Sequence, residues 1–238
     1  MATLQELMEA GVHFGHKKGR SYPKSKVYTF GIREGIYIID LEKTRALLED
    51  ALSYLKNIAK QGKIIMFVGT KYQAREMVAE AAKSVSMPFV SKRWYGGTLT
   101  NFETINANIK KMQKMESDKT TDAYKVLTKK EKLKIDEKLV KLHASLDGIA
   151  MLTKLPDVLF VVDIVSEKNA VAEARKSGIP IVGICDTNAN PELVDYPIPA
   201  NDDAKKSLNL LIGLVADAIN DGLKNKTVNT SGSEDGSK

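Results

Sequence analysis

Cysteine is nearly missing from this chain of 238 residues, where Cys185 stands alone. A single thiol excludes an internal disulfide framework and a cysteine-built zinc site, and it fits a reducing compartment. Long apolar runs are missing as well. No 18 consecutive residues are apolar, so no segment reads as a membrane-spanning helix. Met1-Ala2-Thr3-Leu4-Gln5-Glu6 has no basic stretch leading into an apolar one, so a secretory signal is not expected. The expectation is a soluble, cytoplasmic protein without contact to membrane. The glycine fingerprints of nucleotide enzymes are also absent. Val68-Gly69-Thr70-Lys71-Tyr72-Gln73-Ala74 stands where a phosphate loop would stand, yet it holds one glycine. A dinucleotide fingerprint needs three, and a Walker loop needs GxxxxGK[ST]. Aromatics are only 6% of residues, so aromatics set among cations stand out.

Basic residues are in excess. The formal net charge is +6 and the isoelectric point about 9.1, which favours an anionic partner. The excess is concentrated. Lys17, Lys18, Arg20, Lys24, Lys26 and Arg33 lie in one segment that contains no acid and that interleaves Tyr22, Tyr28 and Phe30. Cations position phosphates, and aromatic and guanidinium planes stack on unpaired bases. Ser91-Lys92-Arg93-Trp94-Tyr95-Gly96-Gly97-Thr98-Leu99-Thr100-Asn101-Phe102 repeats the mixture and holds the only Trp. Trp94, Gly96 and Gly97 read as a structural pivot, with Trp94 packing beneath the helices that follow and Thr98 or Thr100 starting the first of them. Lys92 and Arg93 are secondary candidates for RNA contact. Thr70, Lys71 and Arg75, at a predicted helix start, could hold an RNA phosphate.

Along the chain, Thr3-Leu4-Gln5-Glu6 is a capping box for a short helix ending at Gly11. Residues 12–26 read as an extended loop. Residues 27–32 and 36–39 read as two strands around a Glu34-Gly35 turn. Asp40 caps a helix to about Gln61, and residues 63–68 form a strand buried on both faces. A helix over about 71–85 and a short strand at 87–90 follow. Phe102, Ile105, Ile109 and Met112, then Ile135, Leu139, Leu142, Leu146 and Ile149, recur at spacings of three and four. They predict two antiparallel helices packed as a coiled coil, the second opened by the capping box Thr128-Lys129-Lys130-Glu131. Buried strands are expected at 157–163 and 179–185, with Ser166 capping the helix between them. A proline-bearing edge strand at 196–199 precedes a last helix, opened by Asp202 or Asp203 and ending near Leu223. Alternation of strand and helix gives an α/β fold with a parallel sheet covered on both faces.

Four segments result. Residues 1–40 hold the N-terminal helix, basic loop and short β-hairpin. Residues 41–99 and 150–223 form the α/β body. Residues 100–149 are the inserted coiled-coil hairpin, and 224–238 a disordered tail.

Competing chemistry is thinner. His13 and His16 are three apart and could meet Asp186 or Asp202 around a metal, but packing or phosphate contact is the favoured reading and no metal or cofactor is expected. Asp163 and Asp186 could form an acid pair at strand ends, although loop hydrogen bonding is favoured. An enzyme using the strand ends for a nucleotide, and an adaptor acting through residues 102–149, remain as alternatives.

Several ordered motifs resemble one family. Gly11-Val12-His13-Phe14-Gly15-His16, Pro23-Lys24, Phe30-Gly31 and Ile38-Ile39-Asp40-Leu41-Glu42-Lys43-Thr44 are similar to the opening of the bacterial small-subunit ribosomal protein two family. Phe67-Val68-Gly69-Thr70-Lys71, Arg93 to Asn101, Leu127 to Glu131, Pro156-Asp157, Gly178-Ile179-Pro180, Asp186-Thr187-Asn188 and Ile198 to Asp203 match its later motifs in order. The resemblance spans about residues 3–223. It implies a flavodoxin-like α/β/α sandwich of five parallel strands with an inserted α-hairpin, and no catalysis. It also implies binding to small-subunit rRNA near the junction of head and body, beside neighbouring ribosomal proteins, and help in recruiting ribosomal protein one. Lys17-Lys18-Gly19-Arg20-Ser21-Tyr22 departs from the family, which often has an Arg and a Trp-Asn before the Pro-Lys, while keeping the charge.

Overall fold

A computed structural model describes residues 2–121, 124 and 126–231, without the side chains of 141, 144, 145 and 226–231. The capping box at Thr3 forms as its sequence dictates. Glu6 N donates to Thr3 Oγ1 at 3.2 Å and Thr3 N donates to Glu6 Oε2 at 2.7 Å. Helix α1 (Leu4–Glu9) then stops before Gly11, whose φ of 74° suits a residue without a Cβ.

The segment after α1 is more ordered than its polar, glycine-rich composition implies. It contains a strand, β1 (Phe14–Lys17), and two tight turns, Lys18–Arg20 and Pro23–Tyr28. The predicted strand from Val27 therefore begins two residues later, as β2 (Thr29–Arg33), and pairs with β3 (Ile36–Ile39). Glu34 and Gly35 both have positive φ, the geometry of a two-residue turn whose twist matches its strands. The result is a three-stranded antiparallel sheet ordered β1-β3-β2. β1 escaped sequence reading because its residues neither alternate nor run apolar.

The remaining elements are α2 (Leu41–Lys60), β4 (Ile65–Val68), α3 (Arg75–Ser84), β5 (Phe89–Val90), α4 (Phe102–Asp118), α5 (Lys129–Leu146), β6 (Val158–Val162), α6 (Lys168–Lys176), β7 (Ile181–Cys185), β8 (Tyr196–Pro199) and α7 (Lys205–Ser231). The five later strands are all parallel, in the order β5-β4-β6-β7-β8. Counted along the chain this is 2-1-3-4-5, the flavodoxin-type doubly wound order, with its switch point between β4 and β6. β8 carries Pro197 and Pro199 at the sheet edge, where a missing backbone donor costs least.

Alternating side chains divide between two cores. Ile65, Phe67, Val158, Phe160, Val162, Val182 and Ile184 pack with α2, α3 and α7 on one face. Met66, Val68, Leu159, Val161 and Ile181 pack on the other with Ala170, Val171 and Ala174 of α6. The second core also takes in Trp94, Leu99, Ile105, Ile109 and Met112, with Leu139 and Leu146. The roots of α4 and α5 are thus part of the body's own core. Between these two helices His143 Nε2 meets Glu116 Oε1 at 2.9 Å, and Lys119 Nζ meets Asp136 Oδ1 at 2.7 Å.

Three helix starts differ from expectation because other local hydrogen bonds form first. Ser166 does not cap α6. Its backbone N and that of Val165 donate to Asp163 Oδ1 at 3.0 Å, and its hydroxyl donates to Asp163 Oδ2 at 2.7 Å. Neither Asp202 nor Asp203 opens α7. Asn201 Oδ1 accepts from the backbone N of Asp203 and of Ala204. Thr98 and Thr100 precede α4 without capping it; Thr98 Oγ1 turns back to the carbonyl of Tyr95 at 2.6 Å. At the other end, α7 runs past Leu223 to Ser231, so the start of the predicted tail is helical backbone. Residues 232–238 of that tail lie outside the described residues.

Candidate nucleic-acid interface

The sequence-predicted cations separate into three groups. Lys17, Lys18, Arg20, Lys26 and Arg33 are exposed, and none pairs with a carboxylate among the described residues. They flank the tight turns and β2, so the three-stranded sheet and its turns set their spacing. Tyr22 is half-buried, and its backbone N donates to the carbonyl of Thr187 at 2.7 Å, tying the basic segment to the loop after β7. Lys24, in the same segment, is less available than its neighbours, because its ammonium is paired with Glu192.

The second group surrounds a cleft of about 460 Å³ between α3, β5 and the end of α5. Arg75, Lys83, Lys92 and Arg93 line it with Phe89 and His143. Lys83 was not singled out from sequence, yet it lies eight residues after Arg75 on one face of α3, a spacing that could have shown it. The Arg75 guanidinium lies 4.6 Å from the Tyr72 ring centre, and that of Arg93 lies 5.8 Å from the Tyr95 ring centre. Stacked planes of this kind offer both charge and a π-face to an unpaired base.

Lys71 is the correction. Its place after β4 suggested a phosphate contact, but its ammonium lies 2.7 Å from Asp202 Oδ1, 2.6 Å from Asp203 Oδ1 and 3.1 Å from Asp163 Oδ2. Burial alone would favour the neutral amine, and these three carboxylates reverse that, so its pKa is raised. Burial and the charges of Asp163 and Asp186 push Asp202 up to about 7, against the pull of Lys71. Beside them, Thr70 N donates to Glu167 Oε1 at 2.6 Å, occupying a donor that an anion would need. Gly69 does not leave room for a phosphate either. A Cβ there would lie 2.8 Å from Val78 Cγ2 and 3.2 Å from Val162 Cβ, so this glycine permits close helix–sheet packing. The strand-end crevice is therefore filled by the protein's own acids and one lysine.

The Trp94 stretch is organised by a residue that the sequence did not flag. Glu173 of α6 accepts from Trp94 Nε1 at 3.0 Å, from Gly97 N at 2.9 Å, from Leu99 N at 3.0 Å and from Thr100 N at 3.2 Å. Burial works against ionisation of Glu173, but these donors outweigh it and hold the carboxyl below its ordinary range. Gly97 has a φ of 90°, which lets the chain turn so that successive N–H groups face one carboxylate. Gly96 is exposed beside it with open space where a Cβ would stand. Trp94 itself is 8% exposed and packs in the second core.

His13 and His16 do not form a pair. Burial lowers the pKa of His13. His16 is raised by its hydrogen bond to Asp186, with Nδ1 3.1 Å from Asp186 Oδ2. Cys185 is fully buried, and burial raises its thiol well above the usual range, so it is no nucleophile.

Fold and surface together define a doubly wound α/β protein whose unpaired cations are gathered outside the strand-end crevice. The profile of the ribosomal protein S2 family matches residues 7–222, and the chain belongs to that family, which is structural rather than enzymatic. It is 50% identical over 227 residues to the small ribosomal subunit protein uS2 of Parabacteroides distasonis, covering 94% of this chain and 81% of that one. Identity to the uS2 protein of Helicobacter acinonychis is 48% over 222 residues, covering 93% and 90% of the two chains. Identity to that of Acidobacterium capsulatum is 46% over 222 residues, covering 93% and 74%.

Proposed function

We propose that this chain is a structural constituent of the small ribosomal subunit, working in translation by holding rRNA through phosphate and shape contacts. The observation that carries the reading is the set Lys17, Lys18, Arg20, Lys26 and Arg33, exposed on a folded segment without carboxylate partners among the described residues. An unpaired cation set of this kind is suited to a phosphate backbone. Lys92, Arg93 and Arg75 around the α3–α5 cleft form a second contact, with the Arg–Tyr pairs available for stacking. Lys24 and Lys71 have internal partners and contribute less.

Family membership supports the placement near the junction of head and body, the cytoplasmic ribosome as the site of work, and help in recruiting ribosomal protein one. No helix among the described residues is long and apolar enough to cross a membrane. Exposed Met8 and Phe30 at the N-terminal cleft suit contact with a neighbouring protein. Residues 100–149 act in this reading as a coiled-coil appendage rooted in the body, which spans 41–99 and 150–223.

The test is rRNA affinity measured against salt. Each lost phosphate contact should lower the slope by roughly 0.7–0.9. Lys17→Ala/Lys18→Ala/Arg20→Ala should lower it by about two units or more, and an unchanged slope would remove this segment from the interface. Deleting about residues 115–128 and following incorporation into small subunits separates appendage from body.

A further inference from the structure

The cleft between α3, β5 and the end of α5 joins charge to aromatic surface in one hollow of about 460 Å³. One wall comes from α3. Arg75, Ala79 and Lys83 are spaced by four along the chain and so lie on one face of the helix. The small Ala79 side chain, set between two cations, leaves space that a longer one would fill. Phe89 of β5 forms a second wall. Its ring is half-buried, and Lys83 Nζ lies 5.7 Å from the ring centre. Lys92 and Arg93, both exposed, line the cleft from the segment that follows β5.

The third wall is the end of α5, and it is held in place. Gly148 comes so close to β5 that a Cβ there would lie 2.9 Å from Phe89 Cδ2 and closer still to the Phe89 carbonyl oxygen, so a larger residue would push these walls apart. His143 is braced from two sides, with Nε2 2.9 Å from Glu116 Oε1 and Nδ1 2.9 Å from Asp147 Oδ1. The cleft is thus formed before any ligand arrives, which lowers the cost of binding.

The chemistry of the lining has two parts. None of Arg75, Lys83, Lys92 and Arg93 forms an ion pair among the described residues, while Asp147 is engaged by His143. Glu76 is the other acid of the lining, and its carboxylate accepts hydrogen bonds only. Unpaired cations favour an anion. A half-buried ring beside guanidinium planes backed by Tyr72 and Tyr95 favours a flat, apolar group. A bare phosphate would leave the ring unused, and so would a duplex, whose bases are stacked inside it. The volume falls within the range of small-molecule sites.

We propose that this cleft binds one nucleoside phosphate, with its base against Phe89 and Arg75, its phosphate on Lys92 and Arg93, and Glu76 accepting from N–H groups of the base. A free nucleotide and an unpaired residue of an RNA strand present the same chemistry. The pocket stands on its own geometry, and only its occupation by an RNA residue rests on the rRNA reading.

The experiment titrates the full chain calorimetrically with two pairs of probes. One pair is AMP and ribose 5-phosphate; the other is a single-stranded adenylate hexanucleotide and the same strand with abasic residues. At least one base-bearing probe should bind about tenfold or more tighter than its base-free partner, the scale of one base–aromatic stack. Ala79→Leu keeps every charge and suits a helix, and it should remove that preference by filling the cleft. If it does not fold, Ala79→Gln makes the same test. Lys92→Ala/Arg93→Ala should weaken both members of a pair by about tenfold or more. Preference for AMP identifies a free nucleotide as the occupant, and preference confined to the strand identifies an RNA residue. Equal binding with and without a base, or a preference that survives filling of the cleft, overturns the proposal. Affinity of the wild-type chain for rRNA separates the two readings. If it is retained while the probes bind equally, the pocket alone fails; if it is absent while AMP is preferred, the rRNA reading alone fails.

Discussion

Lys71 and the cations of residues 17–33 are chemically alike and sit in opposite settings. Lys71 lies in a crevice among three carboxylates and is largely buried. Lys17, Lys18, Arg20, Lys26 and Arg33 project from turns and edge strands with no carboxylate partner among the described residues. A lysine surrounded by acids serves the fold, because removing it leaves charge that water cannot reach. A lysine without acids contributes little to the fold and remains available to a partner's phosphates. In a doubly wound sheet the strand-end crevice is the usual ligand site. Here it is filled from within, and the exposed cation-rich surfaces lie outside it.

The comparison breaks most visibly at Lys71. Lys71→Met should destabilise the chain by about 3 kcal/mol or more, since an uncompensated buried charge costs that much. A denaturant titration checks it, and a change near zero would mean that water already screens the crevice.

Glu173→Ala should cost about 2–3 kcal/mol, because Trp94 Nε1 and several backbone N–H groups lose their acceptor. As the only Trp, Trp94 reports the event through its fluorescence. The same bond has a pH sign. The folded pKa of Glu173 is depressed, so its contribution is full above the unfolded value of 4.5 and is lost as pH falls through the folded value. Trp94 emission should shift in acid before the sheet unfolds.

Replacing Lys17, Lys18 and Arg20 singly by Ala should change stability by no more than about 0.5 kcal/mol each, as is usual for exposed positions. A large loss of Tm would transfer these residues to the structural side of the comparison.

The smallest effect belongs to His143. Its pKa is raised by the hydrogen bond to Asp147 and by Glu116 across the helix pair. Stability from this group is full below 6.5 and is lost as pH rises through the folded pKa. The ring is partly exposed, so the difference between wild type and His143→Ala from pH 6 to 8 should stay below about 1 kcal/mol. Paired melts check it.

The sequence by itself determined the parallel sheet, its α/β alternation, the capping boxes at Thr3 and Thr128, the Asp40 cap and the place of the basic segment. Those features rest on local chemistry: residues a few positions apart, or apolar runs whose period sets their element. It also marked Trp94 as a pivot. It did not supply Glu173 as the acceptor beneath that pivot, β1 inside the glycine-rich segment, or the partners that turn Lys71 and Lys24 inward. It had set His16 beside Asp186 or Asp202 as one possible meeting, and favoured packing or phosphate contact there. The side-chain partners of Glu173, Lys71 and Lys24 lie from 73 to 168 positions away in the chain, and β1 pairs with β3 19 to 24 positions away. Whether a charge is spent inside or left for a partner is settled by what the fold brings within about 4 Å of it, where Coulomb energy and desolvation are both large. No pattern along the chain carries that distance.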